Sequence, residues 1–414
     1  MNVFKALEPV QQRNLGFLFG AGLLFWASLT ALLPTLSLYI KDVGASDFEV
    51  GVVMGAFAIG LVLFRPWLGK LADQHDRKIV LYVGLAAAAI APLGYLATQS
   101  IPLLFLLRAF HGLSIAAFTT GFSTLVTDLA PPQSRGEVIG YMTLVNPIGV
   151  AIGPALGGFL QEWAGYTPLF LVSAGLGVLG IGLIHQLRSP SIVGEPGKAP
   201  TSTESMRQLL FSPRFRIPAL VLSLVGAAFG TLAIFVPLFI KETGVPLNPG
   251  LFYTAAAIAS FVARIAVGRA SDRFGRGRFI TASLVLYTLA LSLLCTAHTV
   301  PTFLLAGFLE GAGAAILLPM MITLAADRSH PYERGRTFGL VLVGFDLGMA
   351  LAGPIFGYLA VQLGYRGLFG VTAVLVFLAL LIFMSLCSKT FAYSLKFALG
   401  NGHDVYALPK ISTP

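Results

Sequence analysis

The sequence predicts an all-α membrane protein of twelve transmembrane helices in two pseudo-symmetric six-helix bundles, and three observations predict it. The 414 residues are 56% hydrophobic and only 11% charged, with a mean hydropathy of +0.83, far from the roughly 25% charge of soluble domains. Apolar runs long enough to cross a bilayer core of about 30 Å recur along the chain. A polar loop is also written twice, about 200 residues apart: Gly69-Lys70-Leu71-Ala72-Asp73 through Arg77-Lys78, and Gly268-Arg269-Ala270-Ser271-Asp272 through Arg276-Gly277-Arg278.

The runs fall near residues 15–40, 48–67, 79–97, 101–126, 137–161, 166–187, 217–240, 250–267, 279–297, 301–325, 337–361 and 367–387. The first has no small-residue cleavage site behind a short apolar core, so it reads as a retained helix and not a secretory signal. Its Trp26, Thr30 and Pro34 share a face at four-residue spacing and suit a cavity wall, to which Phe229, Phe235 and Phe345 would add aromatic surface. Spans 1 and 7 end alike, in Ile40-Lys41-Asp42-Val43-Gly44 and Ile240-Lys241-Glu242-Thr243-Gly244. Arg65 and Arg264 each sit one turn before the repeated glycine, close enough to the span ends to snorkel. Gly112 matches Gly311, Asp128 matches Asp327, Arg135-Gly136 matches Arg334-Gly335, and Gly153-Pro154 with Gly157 matches Gly353-Pro354 with Gly357. Spans 5 and 11 are thus expected to pack closely and bend: Gly149, Gly153, Gly157 and Gly158 line one small-residue face, and Pro154 opens the hydrogen-bond ladder.

The resulting division is 1–187 for the first bundle, 188–216 for a linker, 217–387 for the second bundle and 388–414 for a tail. The linker is rich in Pro, Ser, Gly and Thr, and within it Ser205 to Phe211 is read as tether in preference to a short amphipathic turn. The tail is polar enough to be mobile.

Lys and Arg crowd the loops on one side of the predicted membrane, whereas the other side holds only Lys41, Lys241 and Arg366. The positive-inside rule puts that basic side, with both termini, in the cytoplasm, and the plasma (inner) membrane is the expected location. The net charge of +9 is therefore a topology signal and implies no nucleic-acid partner. Cys295 and Cys387 offer no pairing framework and read as small buried hydrophobes. Neither a nucleotide-binding loop, a nucleophile triad nor a metal-ligand cluster is readable, so no enzyme activity, cofactor or metal is expected.

An ionisable group within hydrocarbon is costly and marks function by default. Asp346 lies roughly 15 Å into span 11 at 1.5 Å per residue, with Asn146 at the equivalent place in span 5. Glu310 and His111 are likewise equivalents, in spans 10 and 4, and Arg108 lies one turn outward of His111. Burial favours the protonated form of a carboxyl and a nearby cation reverses this, the opposition that proton-for-substrate exchange requires. Asp346 and then Glu310 are the leading candidates for proton coupling or cation binding; a static pairing that fixes helix packing is the alternative for both.

Through the loop after span 2 the chain resembles the major facilitator superfamily over nearly its whole length, matching the signature G-x-L-a-D-r-x-G-r-k. Arg108-Ala109-Phe110-His111-Gly112 is similar to the R-x-x-q-G of the twelve-helix drug:proton antiporter branch, and Gly149 through Gly158 fits its G-x-x-x-G-P-x-x-G-G. The resemblance implies a secondary transporter working by alternating access, with protons as coupling ion and a small-molecule substrate, and efflux of an organic or drug-like solute as its direction. An importer or facilitator of a metabolite such as a sugar or organic anion is the alternative, a non-transporting sensor the remote one. A monomer suffices. The resemblance further implies that Gly69, Asp73, Arg77, Gly268, Asp272 and Arg276 form a gating latch, Asp73 and Asp272 meeting a helix N-terminus or the arginine four residues on. It gives Arg108 a proton-transfer role and makes Gly149, Gly153, Pro154, Gly157, Gly353 and Pro354 a hinge. Two departures matter: the family's Gln is His111, and the second glycine of the loop is Asp76 in the first copy but Gly275 in the second.

Overall fold

The computed structural model describes residues 7–74, 77–131, 134–187, 206–267, 275–330 and 334–408. Its helices are α1 Pro9–Ala31, α2 Leu36–Asp42, α3 Asp47–Gln74, α4 Arg77–Ala97, α5 Ile101–Leu129, α6 Arg135–Met142, α7 Val145–Ala164, α8 Tyr166–His185, α9 Met206–Phe211, α10 Arg216–Thr243, α11 Pro249–Val267, α12 Arg276–Cys295, α13 Val300–Asp327, α14 Arg334–Leu386 and α15 Phe391–Ala398. Ten segments among the described residues are long and apolar enough to span a bilayer. One of them, within α14, folds back at Gly364 (φ 64°) into two helices, and α11 supplies the last of twelve. Gly165 (φ 82°), at the matching place between α7 and α8, makes the same left-handed turn, where an L side chain would be strained.

The chain forms two compact units, residues 1–195 with 233–254, and residues 196–232 with 255–414. In the first unit α3 and α4 pack along α5, and α1 along α7 and α8. Between lipid-facing helices there is little hydrophobic drive, so association rests on close packing. Phe25 and Phe118 stack at 3.9 Å in the centre of this unit, beside Leu18, Leu85 and Val145. The glycine face of α7 packs closely, as expected, and its partner is α1: a methyl at Gly149 would strike Trp26, one at Gly153 the Thr30 hydroxyl, and one at Gly157 the Ala31 carbonyl, whereas Gly158 does not share that contact and faces Asn248 and Gly250. Thr30 donates to the carbonyls of Trp26 (2.7 Å) and Gly149 (3.1 Å). Thr30 therefore cements two helices and does not line an open cavity, and Pro34 falls in the turn that separates α1 from α2.

Gly157→Ala is expected to destabilise the protein by about 1–3 kcal/mol, because the obstacle is backbone and cannot rotate away. Gly182→Ala is the control, with nothing within 4 Å of the added methyl. Thermal unfolding midpoints in detergent check this; equal midpoints would remove the packing role.

In the second unit α12 packs along α13 and α14, and glycines again meet backbone. Gly344 and Gly348 of α14 meet the carbonyls of Ala219 and Ser223, and Gly226 of α10 meets that of Phe345. Gly353 is buried further along, and Pro354 lies inside the helix. Span 5 is not one helix: α6 and α7 are separated at Thr143 and Leu144, whereas α14 runs unbroken through the matching residues. Residues 206–211 of the expected tether are helical, with Leu209 buried and Phe211 exposed.

The tail departs most from expectation. Residues 388–408 are folded onto the second unit instead of being mobile. Arg328, next after α13, is fully enclosed and explains why. Its Nε and Nη2 donate to the two carboxylate oxygens of Asp404 at 2.7 and 3.0 Å, Nη1 donates to the Arg214 carbonyl (2.8 Å) and Nη2 to that of Cys387 (3.1 Å). Burial alone would pull the guanidinium below its ordinary value; Cys387 and Asp404 beside it reverse this and hold it above.

Candidate functional site

Each unit carries a polar cluster within its apolar spans. In the first, α5 is drawn against α3: Gly112 meets the Phe57 carbonyl, and Gly60 the Ala109 carbonyl, approaches that a methyl would block. This brings the buried Arg108 and His111 beside Phe57, the guanidinium 4.3 Å from the ring centroid and the imidazole edge-on at 5.7 Å. Tyr95 of α4 completes the group, its hydroxyl 3.1 Å from Nδ1 of His111, with Nη1 of Arg108 3.4 Å from the same nitrogen. Since Arg can only donate, Nδ1 is the acceptor and the ring proton sits on Nε2. Arg108 Nε, His111 Nε2 and Ser114 Oγ have no hydrogen-bond partner among the described residues. Spaced three apart on α5, they form a run of unmet polar atoms that water or a solute can satisfy.

The second unit repeats this backbone but not its chemistry. Gly311, the counterpart of Gly112, meets the carbonyl of Ala256, which stands where the first unit has Phe57. Glu310, at the place of His111, is 7% exposed and accepts from the Tyr287 hydroxyl at 3.1 Å. One turn before Tyr287, Ser283 donates to the Gly313 carbonyl at 2.6 Å. One unit thus holds a cation over an aromatic ring, and the other a carboxyl against a phenol. Asp346 is buried on α14 next to Phe345, whose ring lies 5.6 Å from that of Phe229. Asn146 is half-buried on the first turn of α7, just past the break that follows α6.

Of the repeated loop, Gly69 and Asp73 lie on the last turns of α3 and their side chains fall outside the described residues, as do Gly268, Asp272 and Asp76. Both arginines are placed, and each has a partner at the end of a neighbouring helix, while any contact with the carboxylates four residues earlier lies outside the described residues. Arg77 forms an ion pair with Asp128 at the end of α5, and Arg276 pairs with Asp327 at the end of α13 (2.9 Å). The reason is antiparallel geometry: each arginine opens a helix beside the one that the aspartate closes. A carboxylate at a helix C-terminus also faces the negative end of the helix dipole, which the arginine offsets. With both partners partly exposed, each pair is worth about 0–1 kcal/mol, weak enough to part and re-form. Gly275 precedes Arg276 at φ 84°, so the second copy uses its glycine for a left-handed turn.

At the opposite ends of the helices every lysine and arginine found there is engaged. Lys41 pairs with Asp47 (2.5 Å), Lys241 with Asp42 (2.6 Å), and Arg366 caps the Ala297 carbonyl (2.9 Å). Tyr166 donates to Asp42 as well (2.6 Å).

Sequence reasoning missed Tyr95, Tyr287 and Phe57. The two tyrosines do not share the repeat offset, so only a lone hydroxyl in each apolar run marked them.

The family model described as Major Facilitator Superfamily matches residues 18–266 and 248–393. Among curated relatives, the quinolone resistance protein NorA of Staphylococcus aureus is 25% identical over 346 residues, covering 80% of this chain and 87% of its own. The multidrug resistance protein MdtG of Salmonella typhi is 25% identical over 374 residues, covering 87% and 92%. A solved bacterial homologue of the human lysosomal transporter Spinster superposes with a TM-score of 0.75 at 16% identity, covering 96% of this chain and 99% of that one.

Proposed function

The chain belongs to the Major Facilitator Superfamily, and on that premise we propose that this membrane transporter is a proton-coupled exporter of a small organic or drug-like solute. It is an integral multi-pass membrane protein and not an enzyme. The observation that carries the reading is the pair of unlike clusters in like places, Arg108 with His111 under Phe57 and Glu310 with Tyr287. A carboxyl stripped of water pays several kcal/mol to ionise unless a cation joins it. A proton and a cationic or polar solute then compete for the same group, and binding of one releases the other.

Two relatives named for drug resistance support efflux of drug-like compounds as the direction. In this reading Asp346 is the second carboxyl available to protons or substrate, and Asn146 its uncharged counterpart at a helix break, the kind of irregular backbone that lines solute sites. Arg77–Asp128 and Arg276–Asp327 are the weak contacts remade as access alternates, and the glycine faces of α7 and α14 are the pivots. The basic loop end of each bundle faces the cytoplasm of the plasma membrane, the bundles divide at the 188–216 linker, and the protein works as a monomer.

The test is transport by purified protein in proteoliposomes. A pH gradient, inside alkaline or acid, is expected to drive a cationic dye or quinolone against its concentration, with proton movement of opposite sign recorded by an entrapped pH dye. Solute flux indifferent to the gradient would leave a facilitator and remove the coupling.

A further inference from the structure

The C-terminal strap, residues 388–408, presents a face that the protein does not cover. On α15, Ser394, Phe397 and Ala398 turn inward, while Phe391 and Leu399 are 64% and 47% exposed, and Leu395 between them is half-buried. Phe391, Leu395 and Leu399 recur every four residues and so form one apolar stripe along the helix. Lys389 and Lys396, both exposed, flank it.

The height of this stripe is fixed by four pins, all where membrane-spanning helices end. The apolar segment Gly339–Leu386 stops five residues before Phe391, and Leu386 itself is 56% exposed. The backbone N–H of Ser388 donates to the Ser394 hydroxyl at 2.8 Å, folding the connection tightly. At the first turns of α12 the Thr281 hydroxyl donates to the Ala398 carbonyl (2.9 Å), and Gly277 admits the Phe397 carbonyl. Beyond α15, Asp404 is clamped by Arg328 directly after the end of α13. The strap therefore cannot rise into water or sink into the core of the unit.

From this placement we infer that α15 is an anionic-lipid-binding surface, with Phe391, Leu395 and Leu399 set into the acyl–headgroup boundary of the adjoining leaflet and Lys389 and Lys396 on acidic headgroups. A helix with apolar side chains and flanking lysines at that depth binds lipid by buried area and by charge together. Continuity with the lipid-facing end of α14 and the sign of the flanking charges select lipid over a protein partner.

The test places the photocrosslinker benzoylphenylalanine at Phe391 in the full chain, reconstituted in phosphatidylcholine vesicles with a minority of phosphatidylglycerol. Leu386 serves as the lipid-facing control position and Asn401, exposed past α15, as the water-facing one. Mass spectrometry is expected to find phospholipid adducts at positions 386 and 391 and none at 401. Adducts at 391 should be enriched in phosphatidylglycerol above its share of the mixture. With Lys389→Glu and Lys396→Glu the enrichment should vanish, at about fivefold in affinity per lysine near an acidic surface. Position 391 giving no lipid adduct while 386 does, an adduct to a second copy of the chain, or adducts that mirror the bulk lipid ratio would each overturn the inference.

Discussion

Glu310→Gln is expected to abolish uphill export while sparing exchange. A neutral amide in the place of Glu310 keeps the size of the side chain and a hydrogen bond to the Tyr287 hydroxyl, but it cannot release or take up a proton. If proton and solute are coupled through this group, the loss of gradient-driven flux should match a typical coupling free energy of 1–3 kcal/mol, about 5- to 150-fold. Solute counterflow in symmetric pH should survive, because it requires only binding and alternation. Asp346→Asn separates the two carboxyls: the variant that loses gradient drive with counterflow intact carries the proton. Gradient-driven export unchanged in both chains would sink the coupling scheme and leave both carboxyls as structural groups.

The largest stability effect is expected at Arg328. Removing one partner of an enclosed ion pair strands the other in a poor solvent and costs about 3–5 kcal/mol, far above a surface pair. Arg328→Ala also frees the carbonyls of Arg214 and Cys387 and uncovers the Tyr406 ring, which the guanidinium overlies at 5.2 Å. Asp404→Asn retains one acceptor oxygen and should cost less. Thermal unfolding in micelles ranks the two, and hydrogen exchange should show residues 391–408 losing protection in both chains. A midpoint unmoved in Arg328→Ala would mean that the clamp adds nothing to the folded state.

The fold was legible in the sequence because its causes are periodic. Spans, the offset between halves and the close-packing glycine face of span 5 all follow from spacing along the chain, although nothing in it named α1 as the helix that Gly149, Gly153 and Gly157 meet. The pairings across helices were not. Asp128 and Asp327 stood out as repeat equivalents, yet nothing in spacing said that Arg77 and Arg276 would pair with them. The Phe57 lid over Arg108 has no counterpart at Ala256, so the duplication that exposed so much else was silent there. Nor could spacing show that Asp404 reaches back 76 positions to Arg328 and turns a polar tail into a folded strap.

That long reach also sets an order of events during synthesis. Arg328 leaves the ribosome 76 residues ahead of Asp404, so α13 and the first part of α14 must be delivered to the bilayer with an uncovered guanidinium at their edge. Until the last part of the chain emerges, the nascent second unit carries an open cation that the finished protein conceals. A product that terminates before Asp404 keeps that cation without its carboxylate partner.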